Sequence, residues 1–219
     1  MTPEPTISRP EQEPRQVHMM ASAEELRYPA ASLVLLAGLP GAGKSTLLAR
    51  LYGLDGGETE PAVAGGVHVV DSRQSRNWWA RFLGPVPSRF RTPLVHATHV
   101  LRIGRAVLRG HPVVAHTRGT WPHILYGFAW LARRRGGAMH LILLDIPPQT
   151  ARAGQYSRGR VVTAATFARH CRRWRVLVGL ARAGGLPSAA SVTVLDRDAA
   201  DRLCAIRFDA VPVHGDDDS

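Results

Sequence analysis

One stretch of nine residues constrains the fold of this chain more than any other, because it matches the phosphate-binding loop pattern G-x-x-x-x-G-K-[ST]. The stretch is Gly38-Leu39-Pro40-Gly41-Ala42-Gly43-Lys44-Ser45-Thr46. It follows residues 32–37, a short apolar run typical of a buried strand, and it leads into residues 44–52, which have the pattern of a helix. A strand, a glycine-rich turn and a helix in this order predict a nucleotide-binding α/β domain.

The chemistry of this stretch divides among its backbone, Lys44 and Ser45. The glycines allow backbone N–H groups to turn toward phosphate oxygens, and the Ser45 hydroxyl is suited to bind Mg²⁺. Lys44 is suited to reach the β- and γ-phosphates, and it is the only lysine among the 28 Lys and Arg residues. We therefore predict that residues 38–46 hold the phosphates of a nucleotide.

The rest of the chain alternates between strand-like apolar runs and helical patterns, which predicts a sandwich of helices around a parallel sheet. The expected strands are 32–37, 67–71, 112–116, 139–145 and 191–195. The expected helices are 44–52, 75–83, 94–109, 120–135, 163–183 and 198–206. Residues 30–208 are predicted to form one domain. The flanking segments 1–29 and 209–219 are rich in acidic residues or proline and are predicted to be disordered tails.

The charge of the chain is concentrated in the predicted domain. The whole sequence has a formal net charge of +11, whereas residues 30–208 carry 25 basic and eight acidic side chains, a formal charge of +17. A domain with this positive charge favours polyanionic partners such as nucleotides, nucleic acid or phosphorylated metabolites. The alternative is that the arginines follow genomic composition and are solvated on helix faces.

Targeting and redox features are few. No run reaches 18 apolar residues, and the N-terminus lacks the apolar core of a secretory signal, so we expect no membrane association. Cys171 and Cys204 form no metal-binding or redox spacing, which favours a reducing, cytoplasmic setting. The sequence does not indicate an oligomeric state.

Only two acidic residues, Asp71 and Asp145, occur between positions 61 and 195, and each closes an apolar run. Asp71 could accept a proton from a substrate hydroxyl, orient Mg²⁺ through water, or cap the next helix. Asp145 could be the acid of a Walker B strand or the cap of the helix after Pro148. His116 closes another predicted strand and could contact phosphate or substrate, or be structural.

Three arginines lie among small residues in segment 150–162, which is predicted to be a mobile loop. Arg158 and Arg160 could close over a triphosphate and spread their donors across the charge of a transferring phosphoryl group. Arg152 could do the same. The alternative for all three is a solvated basic turn.

Two further groups of arginine and aromatic residues each allow two interpretations, one functional and one structural. In segment 72–82, Arg76 could bind an anionic group and Trp78 or Trp79 could stack on a ring, although such a tryptophan pair could equally belong to the core. Residues 102, 105 and 109 are arginines that give one predicted helix a basic stripe, either a solvated face or a nucleic-acid track.

Taken in order, the phosphate-binding loop, Asp71 with Arg76, a central helical region and the Gln155…Arg158-Gly159-Arg160 segment resemble small P-loop kinases. That group includes the kinase domains of polynucleotide kinases, zeta-toxin-like kinases and many bacterial chains described as AAA-family ATPases. The resemblance covers about residues 32–207 and implies an adenylate-kinase-like fold with a five-stranded parallel sheet. It also implies ATP and Mg²⁺ as the phosphoryl donor.

The resemblance implies a role for each matched residue. Asp71 would be the base, Arg76 an acceptor contact, and Arg158 with Arg160 the lid. The third strand in these kinases commonly ends in an acid, a small residue and threonine, whereas here it ends in Ala115-His116-Thr117-Arg118. The acid is therefore missing, and Thr117 and Arg118 still match the polar end of that motif, where they would contact substrate.

Three hypotheses follow for function. The first is an ATP-dependent kinase that phosphorylates a hydroxyl of a polynucleotide, a nucleotide or a small molecule. The second is a nucleotide-dependent regulatory or nucleic-acid-binding ATPase that uses the basic body. The third is a degenerate kinase homologue that binds ATP without chemistry, suggested by His116.

Overall fold

The structure, a computed structural model, describes residues 16–19, 25–83, 86–117, 122–159, 161–186 and 188–209. These residues form nine strands and seven helices. The strands are β1 (Gln16–Met19), β2 (Glu25–Tyr28), β3 (Leu33–Gly38), β4 (Ala62–Ala64), β5 (Val67–Val70), β6 (Val113–Thr117), β7 (Met139–Leu144), β8 (Ser191–Leu195) and β9 (Ala205–Phe208). The helices are α1 (Lys44–Tyr52), α2 (Ser72–Leu83), α3 (Ser88–Leu108), α4 (Pro122–Arg134), α5 (Pro148–Tyr156), α6 (Ala164–Arg182) and α7 (Arg197–Arg202).

A mostly parallel sheet organises the molecule, with the strand order β1-β8-β7-β3-β6-β5-β4. Strand β3 lies at its centre between β7 and β6, and all six of its residues are buried. Strand β7 is buried along its whole length as well. Continuous apolar runs of this kind are what a parallel sheet covered on both faces requires.

The five strands expected from the sequence form the consecutive block β8-β7-β3-β6-β5, but the expected five-stranded sheet is wrong in number. Strand β1 adds a parallel edge beside β8, and β4 adds an antiparallel edge beside β5. Strands β2 and β9 form a separate parallel pair. Both β1 and β2 lie inside the segment that was expected to be a disordered tail, so that boundary is corrected for residues 16–19 and 25–28.

Helix α5 takes the place of the first part of the expected mobile loop, because the two prolines at its amino end act as a start signal. Pro148 is the first residue of the helix and Pro147 is its N-cap. Proline suits the first helical position, since its fixed φ is already helical and its missing N–H would have no partner there. Pro93 does not mark the start of α3. It lies inside that helix, which begins at Ser88 rather than at the expected residue 94.

Candidate active site

The phosphate-binding loop lies between the carboxyl end of β3 and the start of α1, as its pattern predicts. Gly41 and Gly43 have φ values of 91° and 97°, the left-handed region that favours glycine. Gly43 is the N-cap of α1 and makes no side-chain cap. The N–H groups of the first turn of α1 therefore remain available to an anion, and the helix dipole favours negative charge at this end.

The side chain of Lys44 is buried beneath this loop, and two carbonyl groups of the loop accept hydrogen bonds from it. Its Nζ donates to Gly38 O at 2.7 Å and to Leu39 O at 2.9 Å. These bonds fix the ammonium at the carboxyl end of β3, next to the amide groups that would surround a phosphate. Binding of phosphate by Lys44 stays a prediction.

Helix α5 packs directly on the loop. A Cβ at Gly41 would lie 1.9 Å from Ala151 O, so only glycine permits this approach. Gln155 Nε2 donates to Pro40 O at 3.0 Å, and Arg158 Nη2 donates to Gly41 O at 3.3 Å. Arg158, an expected lid residue, is therefore beside the loop, in the turn that follows a helix rather than in a long flexible segment.

Asp71 caps helix α2. Its Oδ1 accepts the N–H of Arg73 at 2.7 Å, while Gln74 Oε1 accepts the N–H of Asp71 at 3.0 Å. This reciprocal arrangement resembles a capping box. The capping alternative for Asp71 thus holds in the structure, and it does not preclude a second role, because the same carboxylate also contacts the phosphate-binding loop.

That contact is a side-chain interaction between the Asp71 carboxylate and Ser45, and it acts to lower the pKa of Asp71. Burial acts to raise the pKa of Asp71. Hydrogen bonds from His116 and the Arg73 N–H, together with the Ser45 side chain, outweigh burial and hold the pKa of Asp71 below its ordinary value. Asp71 is therefore an ionised, oriented acceptor beside the residue expected to bind Mg²⁺.

His116 is joined to Asp71 rather than directed at a separate ligand. Its Nε2 lies 2.8 Å from Asp71 Oδ1 and 3.1 Å from Ser72 Oγ. Because the ionised carboxylate can only accept, Nε2 must carry the hydrogen. The Ser72 N–H, 3.2 Å from the same nitrogen, would require the opposite tautomer, and the shorter, charge-assisted bond to Asp71 decides between them.

His99, on α3, is a residue that the sequence analysis did not single out. Its Nε2 lies 2.7 Å from His116 O, and burial is the main reason that its pKa falls to about 3. It is therefore a neutral donor that fixes the end of β6. The contact joins residues 99 and 116 across two elements, and no short-range pattern in the sequence signals it.

Asp145 does not cap α5, and both of its carboxylate oxygens bind side chains of α6. Its Oδ1 accepts the indole N–H of Trp174 at 3.2 Å, and its Oδ2 pairs with Arg182 at 3.0 Å. Both partners lie on α6, and the N-cap of α5 is Pro147, with no side-chain cap. Asp145 therefore ties α6 to the end of β7.

The remaining site residues differ in how closely the structure brings them to the loop. Thr117 is at the end of β6, in register with Ala37 of β3, and so shares the edge of the sheet that carries the loop. Arg76 lies on α2, beyond Asp71, and is half-buried. Arg118 and Arg160 lie outside the described residues. Arg152 is placed over the rings of Tyr156 and Phe167 instead of facing the loop.

The tryptophans of α2 are partly packed. Trp78 and Trp79 contact each other at a centroid distance of 4.7 Å, and the Trp79 indole N–H donates to Thr98 Oγ1 at 2.9 Å. Both are half-buried between α2 and α3. This supports the core alternative for Trp79 more than a role in stacking on a substrate.

The oxygens of Ser45 and Asp71 are the groups at this edge that fit Mg²⁺, because it prefers oxygen ligands and keeps several waters while bound to phosphates. In the part of the chain that the structure describes, no three His, Cys, Asp or Glu side chains are grouped so that they could hold a metal ion. A Mg²⁺ ion would therefore depend on nucleotide phosphates for much of its coordination.

Among the described helices, none is long and apolar enough to cross a membrane.

Comparison with known proteins supports the fold. The sequence matches no protein-family model and no curated protein. The structure is similar to a chain of the PezAT chromosomal toxin-antitoxin system of Streptococcus pneumoniae, with a TM-score of 0.50 and 14% identity over 82% of this chain and 72% of that one. It is also similar to a chain of the Pnkp1/Rnl/Hen1 RNA repair complex, with a TM-score of 0.51 and 14% identity over 70% of this chain and 46% of that one.

A gluconokinase from Sinorhizobium meliloti 1021 is matched at a lower TM-score of 0.45, with 13% identity over 81% of this chain and 89% of that one. This chain spans less than half the length of the matched chain of the RNA repair complex. At these identities the likenesses to the PezAT chain and to the chain of the RNA repair complex show the fold alone. The molecule thus has an α/β fold with a mostly parallel central sheet, in agreement with the class predicted from its sequence.

Proposed function

We propose that this protein is an ATP-dependent P-loop kinase that transfers the γ-phosphoryl group of ATP to a hydroxyl. The observation that carries the proposal is the side-chain interaction between Asp71 and Ser45. It joins a carboxylate at the end of one strand to the hydroxyl of the phosphate-binding loop. A nucleophile held by Asp71 would therefore lie beside the terminal phosphate of a nucleotide held by that loop.

In the proposed reaction, the oxygen of the acceptor hydroxyl bonds to the γ-phosphorus, and the bond from that phosphorus to the bridging oxygen of ADP breaks. The hydroxyl proton passes to Asp71. Because the transition state of phosphoryl transfer is loose, the attacking oxygen needs orientation more than a strong base. A carboxylate with a lowered pKa suits this role, since it stays ionised and positioned. Mg²⁺, when bound with ATP, neutralises charge on the phosphates.

The other predicted residues complete the proposed site. Lys44 would bind the β- and γ-phosphates, and residues 38–46 would surround them. Arg158 Nη2 lies 3.3 Å from Gly41 O in the loop, which supports a movement of this side chain to the γ-phosphate. Arg160 would assist it. Arg76, Thr117 and Arg118 would contact the acceptor.

A second candidate is an ATP-binding homologue without transfer activity. It is favoured by one observation, which is that His116 takes the place of the acid expected at the end of the third strand of this kinase class. For either candidate we propose a cytoplasmic setting, supported by the sequence positions of Cys171 and Cys204, which have no metal-binding or redox spacing.

The experiment that tests the proposal measures conversion of ATP to ADP with Mg²⁺, alone and with a panel of hydroxyl acceptors that includes 5′-hydroxyl oligonucleotides. Turnover that rises with one acceptor and disappears in Lys44→Ala would establish a kinase and its substrate class. ATP binding without turnover for any acceptor would favour the homologue that lacks transfer activity.

Asp71→Asn should separate binding from transfer. The amide keeps the shape of the side chain but removes the negative charge, so we expect ATP affinity within about threefold of the wild type and a fall in turnover of at least about 100-fold. Titration calorimetry with a non-hydrolysable ATP analogue would check the first expectation and steady-state kinetics the second. Unchanged turnover would remove Asp71 from the reaction.

A further inference from the structure

A second polar surface lies far from the phosphate-binding loop. Residues 72–144 contain twelve arginines and no acidic residue. The structure brings five of these arginines to the adjacent carboxyl-terminal ends of α3 and α4, and all five are exposed. We call them the α3–α4 basic face: Arg105, Arg109, Arg133, Arg134 and Arg135.

The two helix ends are neighbours in space. A Cβ at Gly110 would lie 3.5 Å from Arg135 Nη2, so the residue after Arg109 approaches the end of α4 directly. A Cβ at Gly104 would lie 3.7 Å from Leu131, so α3 and α4 are also in contact at these earlier positions. The carboxyl-terminal ends of α3 and α4, which carry the five exposed arginines, therefore lie side by side.

No acid in the described part of the chain forms an ion pair with this face. Glu60, the acid that approaches α3, pairs with Arg102 at 2.8 Å. The stacked rings of His68 and His111 lie close by, at a centroid distance of 4.4 Å. Burial lowers the pKa of His68, and His111 and Arg109 lower it further, so that the neutral form of His68 is favoured beside the arginines.

Aromatic groups accompany the charge. Trp130 is 55% exposed, and the guanidinium of Arg134 lies 5.2 Å from the centre of its ring. Tyr126, one turn earlier on α4, is 50% exposed. An exposed indole next to guanidinium groups offers the combination that single-stranded nucleic acids use, since phosphates bind the cations and bases stack on the rings.

We propose that the α3–α4 basic face binds single-stranded nucleic acid. The negative end of a helix dipole explains one or two cations at each carboxyl terminus. It does not explain five arginines without acidic partners in the described structure, nor exposed aromatic rings among them. An acidic protein would match the charge of the face, but its carboxylates offer no flat rings on which Trp130 and Tyr126 could stack.

The location separates this surface from the proposed kinase site. Gly110 and Arg135 precede β6 and β7, so the face lies at the amino ends of these parallel strands, whereas the phosphate-binding loop follows the carboxyl end of β3. The surface would therefore act as a second binding site. It does not depend on the proposed phosphoryl transfer.

The test is fluorescence anisotropy of labelled single-stranded RNA and DNA 15-mers, titrated with the full chain at several salt concentrations. The variant R105Q/R109Q/R133Q/R135Q removes four charges from the face. We expect its affinity to fall by at least about tenfold, and the slope of log K against log salt to fall in magnitude by about 3. Trp130→Ala should weaken binding by about fivefold or more through lost stacking.

The matched control is R169Q/R172Q/R173Q/R175Q, which removes the same charge from exposed positions of α6. It should bind like the wild type, and circular dichroism would confirm that both variants are folded. Equal weakening of the two variants would overturn the proposal in favour of net charge alone. Stronger binding to poly-glutamate or to anionic lipid vesicles than to either oligonucleotide would overturn it in favour of another polyanion.

The outcome is independent of the kinase proposal, because Lys44→Ala should bind the oligonucleotides as the wild type does. Absence of ATP turnover with intact, face-dependent binding would contradict only the proposed kinase. Turnover without face-dependent binding would contradict only this inference.

Discussion

Asp71 combines two tasks in one carboxylate. It caps α2 through the Arg73 N–H and it interacts with Ser45 in the phosphate-binding loop. The cap fixes the position of the side chain, because the rigid first turn of a helix limits its rotation. A buried carboxylate with several donors is both stabilising and pre-oriented, which is what phosphoryl transfer requires of it.

The partner of Asp71 provides a test at the level of a single atom. In His116→Gln, the amide nitrogen can occupy the position of Nε2 and donate to Asp71, whereas in His116→Asn the shorter side chain cannot reach it. We expect His116→Gln to retain most of the turnover and His116→Asn to lose about 10–100-fold in kcat, with little change in KM for ATP.

Steady-state kinetics on both variants would distinguish positioning from general stability, provided that their thermal midpoints are compared as well. If the two variants turn over equally, His116 does not position Asp71. The ¹⁵N chemical shifts of the His116 ring would independently show whether Nε2 carries the hydrogen, as its bond to the carboxylate requires.

At the level of elements, the contact between α5 and the phosphate-binding loop determines the shape of the loop. Gln155 bridges Pro40 O and the N–H of Val162, so one side chain connects the loop, the helix and the segment that follows it. The loop is thus supported from outside its own sequence. Gly41 is required both by this packing and by its positive φ.

Gly41→Ala should therefore disrupt the loop, because the new Cβ would lie 1.9 Å from Ala151 O and φ would stay at +91°. We expect a loss of about 2–4 kcal/mol in the free energy of unfolding and nucleotide binding too weak to measure. Urea denaturation and calorimetry would check both.

Gly66→Ala is the matched control for backbone strain, since Gly66 has a φ of +78° and nothing within 4 Å of its Cβ position. It should cost only about 1 kcal/mol and leave nucleotide binding unchanged. Equal effects of the two substitutions would show that strain, rather than contact with α5, makes Gly41 necessary.

At the level of the whole molecule, two buried histidines make stability depend on pH. Burial lowers the pKa of His99 to about 3 and that of His140 to about 4. The unfolded chain binds a proton at each near pH 6.5, so between that pH and the folded values it holds more protons than the native state. Stability must therefore fall as the pH falls. Asp71 does not contribute in this range, because its lowered pKa stabilises the fold at every pH above its ordinary value.

We expect the free energy of unfolding to decrease by roughly 3–4 kcal/mol between pH 6.5 and pH 5. Urea denaturation at both pH values would measure it. His140→Asn, whose amide can keep the bond to Ser191 Oγ, should remove about half of the decrease. An unchanged pH dependence in that variant would show that His140 is not kept neutral by the fold.

The amino-acid sequence by itself determined the glycine-rich turn between β3 and α1, the five central strands and the parallel class of the sheet. These features depend on local patterns, namely a glycine-rich turn and apolar runs of strand length. The ends of β5 and β6 also followed from the sequence, so Asp71 and His116 could be recognised as residues of the same sheet edge.

Only the tertiary structure decided how these residues are connected. The Asp71–His116 bond joins positions 45 residues apart, and the bond between Gln155 and Pro40 O joins positions 115 apart. Asp145 binds side chains of α6, and the edge strand β1 pairs with β8, because each is stabilised by partners distant in sequence. Local patterns record what a segment can form, whereas such contacts depend on how the segments pack around one sheet.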